Sequence, residues 1–246
     1  MKSTSQKNVD RILIAGGSSG MGLALARMLL DDGAEVIIAG RSEARLSEAR
    51  AKLGAHRKLL IMIADIGRER DVARMFERTG PLDHIVTTAA DIEGAYRLLP
   101  DLQLKAVRRV IDSKLLGPLL LAKYGAPLLS PTGSLTFTSG IAAYRPAARG
   151  SAVAAINGAL ASLAYALAIE LGPIRVNVVS PGWVDSPLWQ HVAGDAREAT
   201  LNAMAKRLPV GRIGHPEDIA DAIRFLLRNG FATGTVLHVD GGHRLV

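Results

Sequence analysis

The sequence predicts an α/β fold of the doubly wound type, with a seven-stranded parallel sheet and helices on both faces in a single domain. Seven short runs rich in valine and isoleucine alternate with longer segments of helical period. The runs are apolar on both sides, as strands buried between two helical layers must be. Helix-length connections join parallel strands as crossovers. The predicted strands are RILIAG, AEVIIAG, KLLIMIAD, LDHIVTTAA, SLTFTSG, IRVNVVSPG and TVLHVDGG.

One domain accounts for nearly the whole length of the chain. The 246 residues, 48% of them hydrophobic, suffice for one large core. No proline-rich, glycine/serine-rich or single-sign stretch divides them. We therefore predict a polar N-terminal extension over residues 1–10 and one domain over residues 11–246. The extension lacks the apolar core of a signal peptide, which favours a cytoplasmic protein.

Composition argues against several other classes of protein. The longest apolar region, residues 152–171, is interrupted by Asn157, Ser162 and Tyr165, which favours a buried helix over a membrane span. The formal net charge is +7, but basic residues are mixed with acidic ones and aromatic residues make up only 4%. We expect no nucleic-acid partner on those grounds. Cysteine is absent and the six histidines are dispersed, so we expect no metal.

A glycine-rich turn follows the first predicted strand and opens a helix. Its sequence is AGGSSGMG, with the spacing G-x-x-x-G-x-G at Gly16, Gly20 and Gly22. Such a turn brings backbone N–H groups close to a pyrophosphate, whose charge suits a helix N-terminus. Two other interpretations remain open. Gly16, Ser18 and Gly20 also fit the nucleophile elbow G-x-S-x-G of hydrolases, although the upstream loop that supplies oxyanion donors is missing. The glycines could also simply form a tight turn.

Several further motifs, each in the expected order, accompany this turn. Asp65 ends the third strand, Pro181 and Gly182 follow the sixth, and GRIGHPEDIA and HVDGG lie near the C-terminus. With these motifs the chain resembles the short-chain dehydrogenase/reductase family over nearly all its length. The resemblance implies a Rossmann-like fold and a nicotinamide dinucleotide. The residues it assigns to cofactor binding are Gly16, Ser18, Ser19, Gly20, Met21, Gly22, Asp65, Ile66, Ala89, Ala90, Pro181, Gly182 and Val184.

The end of the second strand indicates which dinucleotide is bound. A member selective for NAD would carry an acidic residue there to accept from the ribose 2′-hydroxyl. This chain has Gly40 followed by Arg41 and Ser42. A guanidinium can bind a 2′-phosphate through two parallel hydrogen bonds. We therefore predict NADP(H) over NAD(H), with Arg41 and Ser42 as cofactor-binding residues; the alternative is a solvated arginine at the start of a helix.

The catalytic residues are where the resemblance fails. In the family a tyrosine donates the proton, and a lysine four residues later lowers its pKa. None of the four tyrosines here has a lysine four residues on. Counting back from AIELGPIRVN places Val153 at the tyrosine position and Asn157 at the lysine position. Ser139 matches the catalytic serine after the fifth strand.

A second exchange accompanies the first. The family's asparagine on the preceding helix corresponds to Lys114 here, in the sequence KLLG. Lysine and asparagine thus trade places between Lys114 and Asn157, and we hypothesise that the site keeps a cation and an amide in swapped positions. The competing interpretation is an exposed lysine under no constraint. As alternative proton donors, a desolvated Lys114, Ser139 acting through water and Tyr144 on a nearby loop stay open.

Two functions fit this pattern of matches and mismatches. The first is an NADPH-dependent oxidoreductase that reduces a carbonyl or an activated double bond with a proton donor other than the family's tyrosine. Its catalytic residues would be Ser139, Lys114 and Asn157. The second is an inactive NADP-binding sensor, scaffold or partner subunit. For either, we expect a homo-oligomer, dimer or tetramer, because residues 151–168 are rich in small side chains. A small-molecule substrate would contact residues 188–208, with Trp189 as the best apolar contact.

Overall fold

A computed structural model describes residues 9–187, 189 and 194–246. Seven strands form one sheet in the order β3-β2-β1-β4-β5-β6-β7, and every neighbouring pair is parallel. These strands are β1 Arg11–Ala15, β2 Glu35–Gly40, β3 Leu59–Ile63, β4 Leu82–Thr87, β5 Leu129–Thr138, β6 Arg175–Pro181 and β7 Val236–Val239. All seven predicted strands are confirmed. Residues 1–8 of the predicted extension lie outside the described residues.

Helices connect the strands, as the spacing of the apolar runs predicts. In the described part of the chain they are α1 Gly20–Asp31, α2 Glu43–Lys52, α3 Glu69–Thr79, α4 Leu104–Ile111, α5 Gly117–Gly125, α6 Ser151–Glu170, α7 Arg197–Ala205 and α8 Pro216–Arg228. A π-helical segment, Asp112–Leu116, joins α4 to α5. Such segments are rare and are found frequently at functional sites.

The sheet separates two apolar cores, one on each face. Alternation along β1 sends Ile12 and Ile14 to one face and Leu13 and Ala15 to the other. The first core packs the sheet against α1, α2 and α8, and the second packs it against α3, α5 and α6. This arrangement confirms the predicted doubly wound fold with helices on both faces.

Helix α6 illustrates why composition alone does not identify a membrane span. Its length and its mean hydropathy of 1.8 are sufficient for one. In the fold, however, Leu160, Ala164 and Leu167 belong to the core on the second face of the sheet. One face of α6 thus packs against the sheet, while Tyr165 and Ile169 are exposed.

Strand order reverses between β1 and β4, and the glycine turn lies at that point. Gly16 has a φ of +93°, and a Cβ there would lie 2.6 Å from the backbone nitrogen of Ala89. A Cβ on Gly22 would lie 2.3 Å from the carbonyl oxygen of Gly16. Thr88 closes the contact by donating from its Oγ1 to the Gly16 carbonyl at 3.2 Å. The turn and the end of β4 thus approach so closely that only glycine fits at these two positions.

A buried arginine fastens the C-terminus of α8 to the sheet. Arg175, at the start of β6, is 7% exposed. Its guanidinium donates to the carbonyl oxygens of Leu226 at 2.6 Å, Leu227 at 2.8 Å and Asn229 at 3.0 Å. These carbonyls belong to the last turn of the helix, where partners within the helix are lacking. The cation also lies at the negative end of the helix dipole.

We predict that Arg175→Leu lowers the free energy of unfolding by about 2–3 kcal/mol, because buried carbonyl oxygens lose charged donors. The measurement is urea-induced unfolding followed by circular dichroism. The matched control is Arg228→Leu, which removes an exposed ion pair to Asp32 at 2.7 Å and should cost less than about 1 kcal/mol. Equal losses in the two variants would contradict the role given to Arg175.

Candidate active site

A large cleft opens at the carboxyl ends of the strands, where doubly wound folds bind ligands. Its volume is about 1190 Å³. One end, the glycine-loop end, is lined by Gly16, Ser18–Met21, Arg41 and Asp65, and the other, the tryptophan end, by Arg145, Trp183, Trp189, Arg207 and His243. Lys114, Ser139 and Asn157 also line this cleft. It therefore contains every predicted site residue except Gly22, which shapes the turn from behind.

The glycine-loop end provides a helix N-terminus suited to an anion. Ser19, the N-cap residue of α1, makes no side-chain capping hydrogen bond, and the first turn carries no acidic residue. The backbone N–H groups of that turn therefore face the cleft without a side-chain acceptor or a nearby carboxylate. A pyrophosphate supplies both the acceptors and the negative charge that such an end favours. The residues present fit the phosphates of a dinucleotide.

Two arginines stand beyond the end of β2. Arg41 is 59% exposed in its side chain and donates to the Asp91 carboxylate at 2.8 Å. Arg45, one helical turn later, lines the same cleft. Ser42 lies between them as the N-cap of α2, and its Oγ accepts from the backbone nitrogen of Arg45 at 3.3 Å. The sequence analysis missed Arg45, although its i+4 spacing from Arg41 is a signal that could have identified it.

Small and acidic residues complete this end of the cleft. Asp65 follows β3, and its Oδ1 accepts from the backbone nitrogen of Gly67 at 3.0 Å. Ile66, Ala89 and Ala90 line the cleft beside it. Because the alanine side chains are short, the cleft stays open next to the glycine turn. The predicted positions at the ends of β3 and β4 are thus brought together.

The loop after β6 is fixed by the two C-terminal motifs. A Cβ on Gly182 would lie 2.6 Å from the Cα of Asp240, and the Gly182 nitrogen donates to the Val239 carbonyl at 2.9 Å. Val184 forms an isolated parallel bridge with Gly214. Pro181, Gly182 and Val184 all line the cleft. The motifs HVDGG and GRIG therefore hold in place the loop that the sequence assigns to the nicotinamide.

Lys114, Ser139 and Asn157 form one buried polar cluster. Their exposed fractions are 7%, 4% and 3%. The Nζ of Lys114 donates to the carbonyl oxygens of Thr138 at 3.3 Å and Ser139 at 3.2 Å. The Oγ of Ser139 donates to the carbonyl oxygen of Asn157 at 2.9 Å. The Nδ2 of Asn157 donates to the carbonyl oxygen of Gly140 at 3.5 Å, so the side chains of Lys114 and Asn157 both reach residues 138–140.

Lys114 owes its position to the π-helical segment between α4 and α5. Burial, which penalises the charged form, lowers the pKa of its amine to about 8. The ammonium is therefore still protonated at neutral pH but releases a proton more readily than an exposed lysine. This burial excludes the interpretation of Lys114 as an unconstrained surface lysine.

Val153, which the sequence predicts at the position of the family's tyrosine, offers no proton donor. Val153 is 3% exposed and packs with Ile92, Val110 and Ile156 while lining the cleft. In contrast, Tyr144 is 39% exposed, lies outside the cleft lining and packs edge-on against His238 with ring centroids 4.4 Å apart. Because Tyr144 does not line the cleft, the structure disfavours it as a proton donor.

Tyr96 is a cleft residue that the sequence analysis did not select. It lines the cleft beside the cluster that contains Val153, and burial raises the pKa of its phenol. It lies on the irregular segment that follows β4, where no periodic pattern indicates which side chains face inward. Nothing in the sequence therefore distinguished it from the other tyrosines.

Two tryptophans form the wall of the tryptophan end. The rings of Trp183 and Trp189 stack with centroids 4.2 Å apart and an interplanar angle of 26°. The Nε1 of Trp189 donates to the Val184 carbonyl at 2.8 Å, which fixes the ring to the loop after β6. Trp189 is thus placed as an apolar contact of the cleft, as predicted. Residues 188 and 190–193 of the predicted substrate segment lie outside the described residues.

No group of three or more histidine, aspartate or glutamate side chains within residues 9–187, 189 and 194–246 could hold a metal ion. Of the two carboxylates that line the cleft, Asp91 pairs with Arg41 and Arg109, and Asp65 pairs with Arg68.

Comparison with known proteins supports the family resemblance over nearly the whole domain. The family model described as enoyl-(acyl carrier protein) reductase matches residues 15–244. The short-chain dehydrogenase/reductase ATR9 of Stachybotrys chlorohalonatus is 34% identical, with 94% of this chain and 95% of that protein covered. These matches include the glycine turn, the Lys114 cluster and both C-terminal motifs.

Solved structures agree with these sequence relatives. A small-chain dehydrogenase in complex with NADPH superposes with a TM-score of 0.82 at 33% identity, covering 97% of this chain and all of that one. The MalC reductase/Diels-Alderase of Malbranchea aurantiaca gives a TM-score of 0.89 at 32% identity, covering 97% of each chain. The family model, the sequence relatives and these structures show that the chain belongs to the short-chain dehydrogenase/reductase family.

Proposed function

We propose that the protein is an NADPH-dependent reductase of a carbonyl or activated double bond, with Lys114 as the proton donor. The observation that carries the proposal is that one cleft joins the glycine turn, the arginine pair and the buried Lys114 cluster. The related small-chain dehydrogenase in complex with NADPH supports the choice of cofactor.

Each part of the cofactor has a fitting partner at the glycine-loop end. The first turn of α1 would receive the pyrophosphate, and Asp65 and Ile66 would flank the adenine. Arg41 and Arg45 would hold the 2′-phosphate, because two guanidinium groups match its charge and its acceptors. Pro181, Gly182 and Val184 would pack on the nicotinamide. When bound, NADPH supplies the hydride for the reduction.

Lys114 is suited to deliver the matching proton. Below pH 8 its Nζ carries a proton that burial makes easier to release. A substrate oxygen that accepts hydride on the adjacent carbon gains negative charge, and an ammonium group stabilises that charge before transferring its proton. After the transfer the amine is neutral, which is the form that its buried environment favours. Ser139 would orient the same oxygen.

Asn157 would position Ser139 and not take part in proton transfer. Its backbone carbonyl accepts from the Ser139 Oγ, and its side-chain Oδ1 is buried without a hydrogen-bond partner in the described structure. A buried amide oxygen without a partner is costly and suits a bound water or a substrate hydroxyl. The amide would thus complete the polar cluster on the side opposite Lys114.

The second candidate is a cofactor-binding protein without dehydrogenase activity. Val153 and Asn157 at the positions of the family's tyrosine and lysine favour it, because general acid catalysis contributes typically about 10²–10⁴-fold. A titration of NADPH fluorescence followed by turnover on ketones, quinones and enones separates the two. Tight binding without oxidation of NADPH would favour the sensor or scaffold.

A homo-oligomer is also part of the proposal. Strand β7 is an edge of the sheet, and Phe231, just before it, is 99% exposed. Ile169 at the end of α6 and Phe225 on α8 are exposed as well, at 86% and 51%. Such apolar side chains next to an open sheet edge suit an interface between copies. Light scattering coupled to size exclusion would give the number of subunits.

We predict that Lys114→Met lowers kcat by about 10²-fold or more, because the proton donor is removed. In the wild type, kcat should stay level below pH 8 and fall above it, as Lys114 loses its proton. Lys114→Arg should also lower kcat, because a guanidinium does not give up its proton, and its remaining activity should show no decline above pH 8. These values come from pH profiles of NADPH oxidation.

The control for this prediction is Lys123→Met, which removes an exposed lysine paired with Glu69 and should leave the profile unchanged. NADPH affinity should survive in Lys114→Met, because the lysine lies beyond the phosphates. A wild-type pH profile in Lys114→Met would show that another group donates the proton.

For the cofactor, we predict that Arg41→Ala weakens NADPH binding by about tenfold and leaves NADH binding nearly unchanged, because only NADPH carries the 2′-phosphate. Fluorescence titration gives both dissociation constants. Arg27→Ala is the matched control, since Arg27 is exposed on α1 and outside the cleft lining. Equal wild-type affinities for NADH and NADPH would contradict the assigned cofactor.

A further inference from the structure

Two arginines at the tryptophan end of the cleft have no acidic partner. Arg145 follows the short helix Ile141–Ala143, and Arg207 follows α7; both line the cleft. Neither takes part in an ion pair or a side-chain hydrogen bond within the described residues. Residues 1–8, 188 and 190–193 contain no aspartate or glutamate that could serve instead.

Other arginines of the same part of the chain are neutralised. Arg197 pairs with Asp185, Arg212 with Asp218 at 2.7 Å, and Arg244 with Asp240 at 2.7 Å. The acidic residues that line the cleft, Asp65 and Asp91, belong to its other end, where Asp91 holds Arg41. The tryptophan end of the cleft therefore carries a net positive charge from Arg145 and Arg207.

A buried histidine, His243, also lines this end of the cleft. His243 is 7% exposed, and its Nδ1 is buried without a hydrogen-bond partner among the described residues. Burial, and then the positive charges of Arg145 and Arg207, lower the pKa of His243, while Asp240 opposes them. The side chains of His243, Arg145 and Arg207 all line the cleft. An unpaired ring nitrogen there can accept from, or donate to, a bound ligand.

An apolar surface adjoins this cationic group. The His243 ring meets Trp183 edge-on, with centroids 6.3 Å apart and an interplanar angle of 77°. Trp183 in turn stacks on Trp189. A flat, apolar ring system would gain contact area against these aromatic rings. An anion beside it would relieve the repulsion between the two arginines and form charge-assisted hydrogen bonds.

We propose that the tryptophan end binds a planar organic acid, with its carboxylate held by Arg145 and Arg207 and its apolar body packed on Trp183 and Trp189. This inference rests on the proposed function, because it names the substrate class of the same cleft. The reducible carbonyl or double bond of that acid would extend toward Lys114 and Ser139.

The test compares two ligands of the same shape but different charge, 2-naphthoate and 2-naphthamide. Isothermal titration calorimetry on the full chain saturated with NADP⁺ should give about tenfold tighter binding of the carboxylate. That difference should shrink as salt is added, since the arginines are exposed. Arg145→Gln and Arg207→Gln should each reduce the difference in affinity between the two ligands. The controls Arg149→Gln and Lys206→Gln, which change neighbouring exposed residues, should leave that difference unchanged.

Two results would overturn the proposal. One is equal affinity for the two ligands; the other is an affinity for 2-naphthoate that Arg41→Ala lowers and Arg145→Gln leaves intact, which would place the anion at the opposite end. Repeating the titration without NADP⁺ separates this inference from the proposed function. A charge preference that depends on Arg145 and Arg207 in a protein that binds no NADP⁺ would support the acid site alone.

Discussion

The close contact between the glycine turn and the end of β4 is the constraint on which the rest of the cleft depends. Gly16 and Gly22 stack their backbones against each other and against Thr88 with no room for a side chain. Because this contact lies where the strand order reverses, it sets the start of α1 relative to the loops after β4 and β5. The helix N-terminus and the Lys114 cluster are consequently held in one cleft by backbone geometry.

The Lys114 cluster differs from the family's pattern in composition but is still polar. In the predicted register, Val153 and Asn157 stand where the family has a tyrosine and a lysine, and α6 would then lack these two titratable groups. The π-helical segment places Lys114 in the same cluster from the opposite helix, with the same serine segment as its anchor. A buried ammonium group needs either an acidic partner or a lowered pKa, and burial lowers the pKa of Lys114. In the proposed mechanism one cation would combine charge stabilisation and proton delivery, which the family divides between two residues.

The features that could be predicted from the sequence are those that depend on local residue patterns. Strands, helices and the glycine turn follow from apolar period and from the need for glycine at close approaches. The sequence did not predict Arg45, Tyr96, Arg145, Arg207 or His243 as cleft residues, nor Arg175 as a helix anchor. Except for Arg45, their positions follow from how irregular segments fold over the sheet or from contacts between distant strands and helices. Such contacts leave no periodic trace in the chain. The π-helical form of residues 112–116 belongs to the same group, because tertiary packing decides it.

The stacked pair Trp183 and Trp189 has one more consequence. The chain contains only two tryptophans, and both line the same end of the same cleft. All tryptophan emission of the protein therefore originates next to the loop assigned to the nicotinamide. Reduced nicotinamide absorbs where tryptophan emits, so energy transfer between them would depend on the distance across the cleft. Tryptophan fluorescence would therefore report the binding of reduced cofactor in the cleft without an added label.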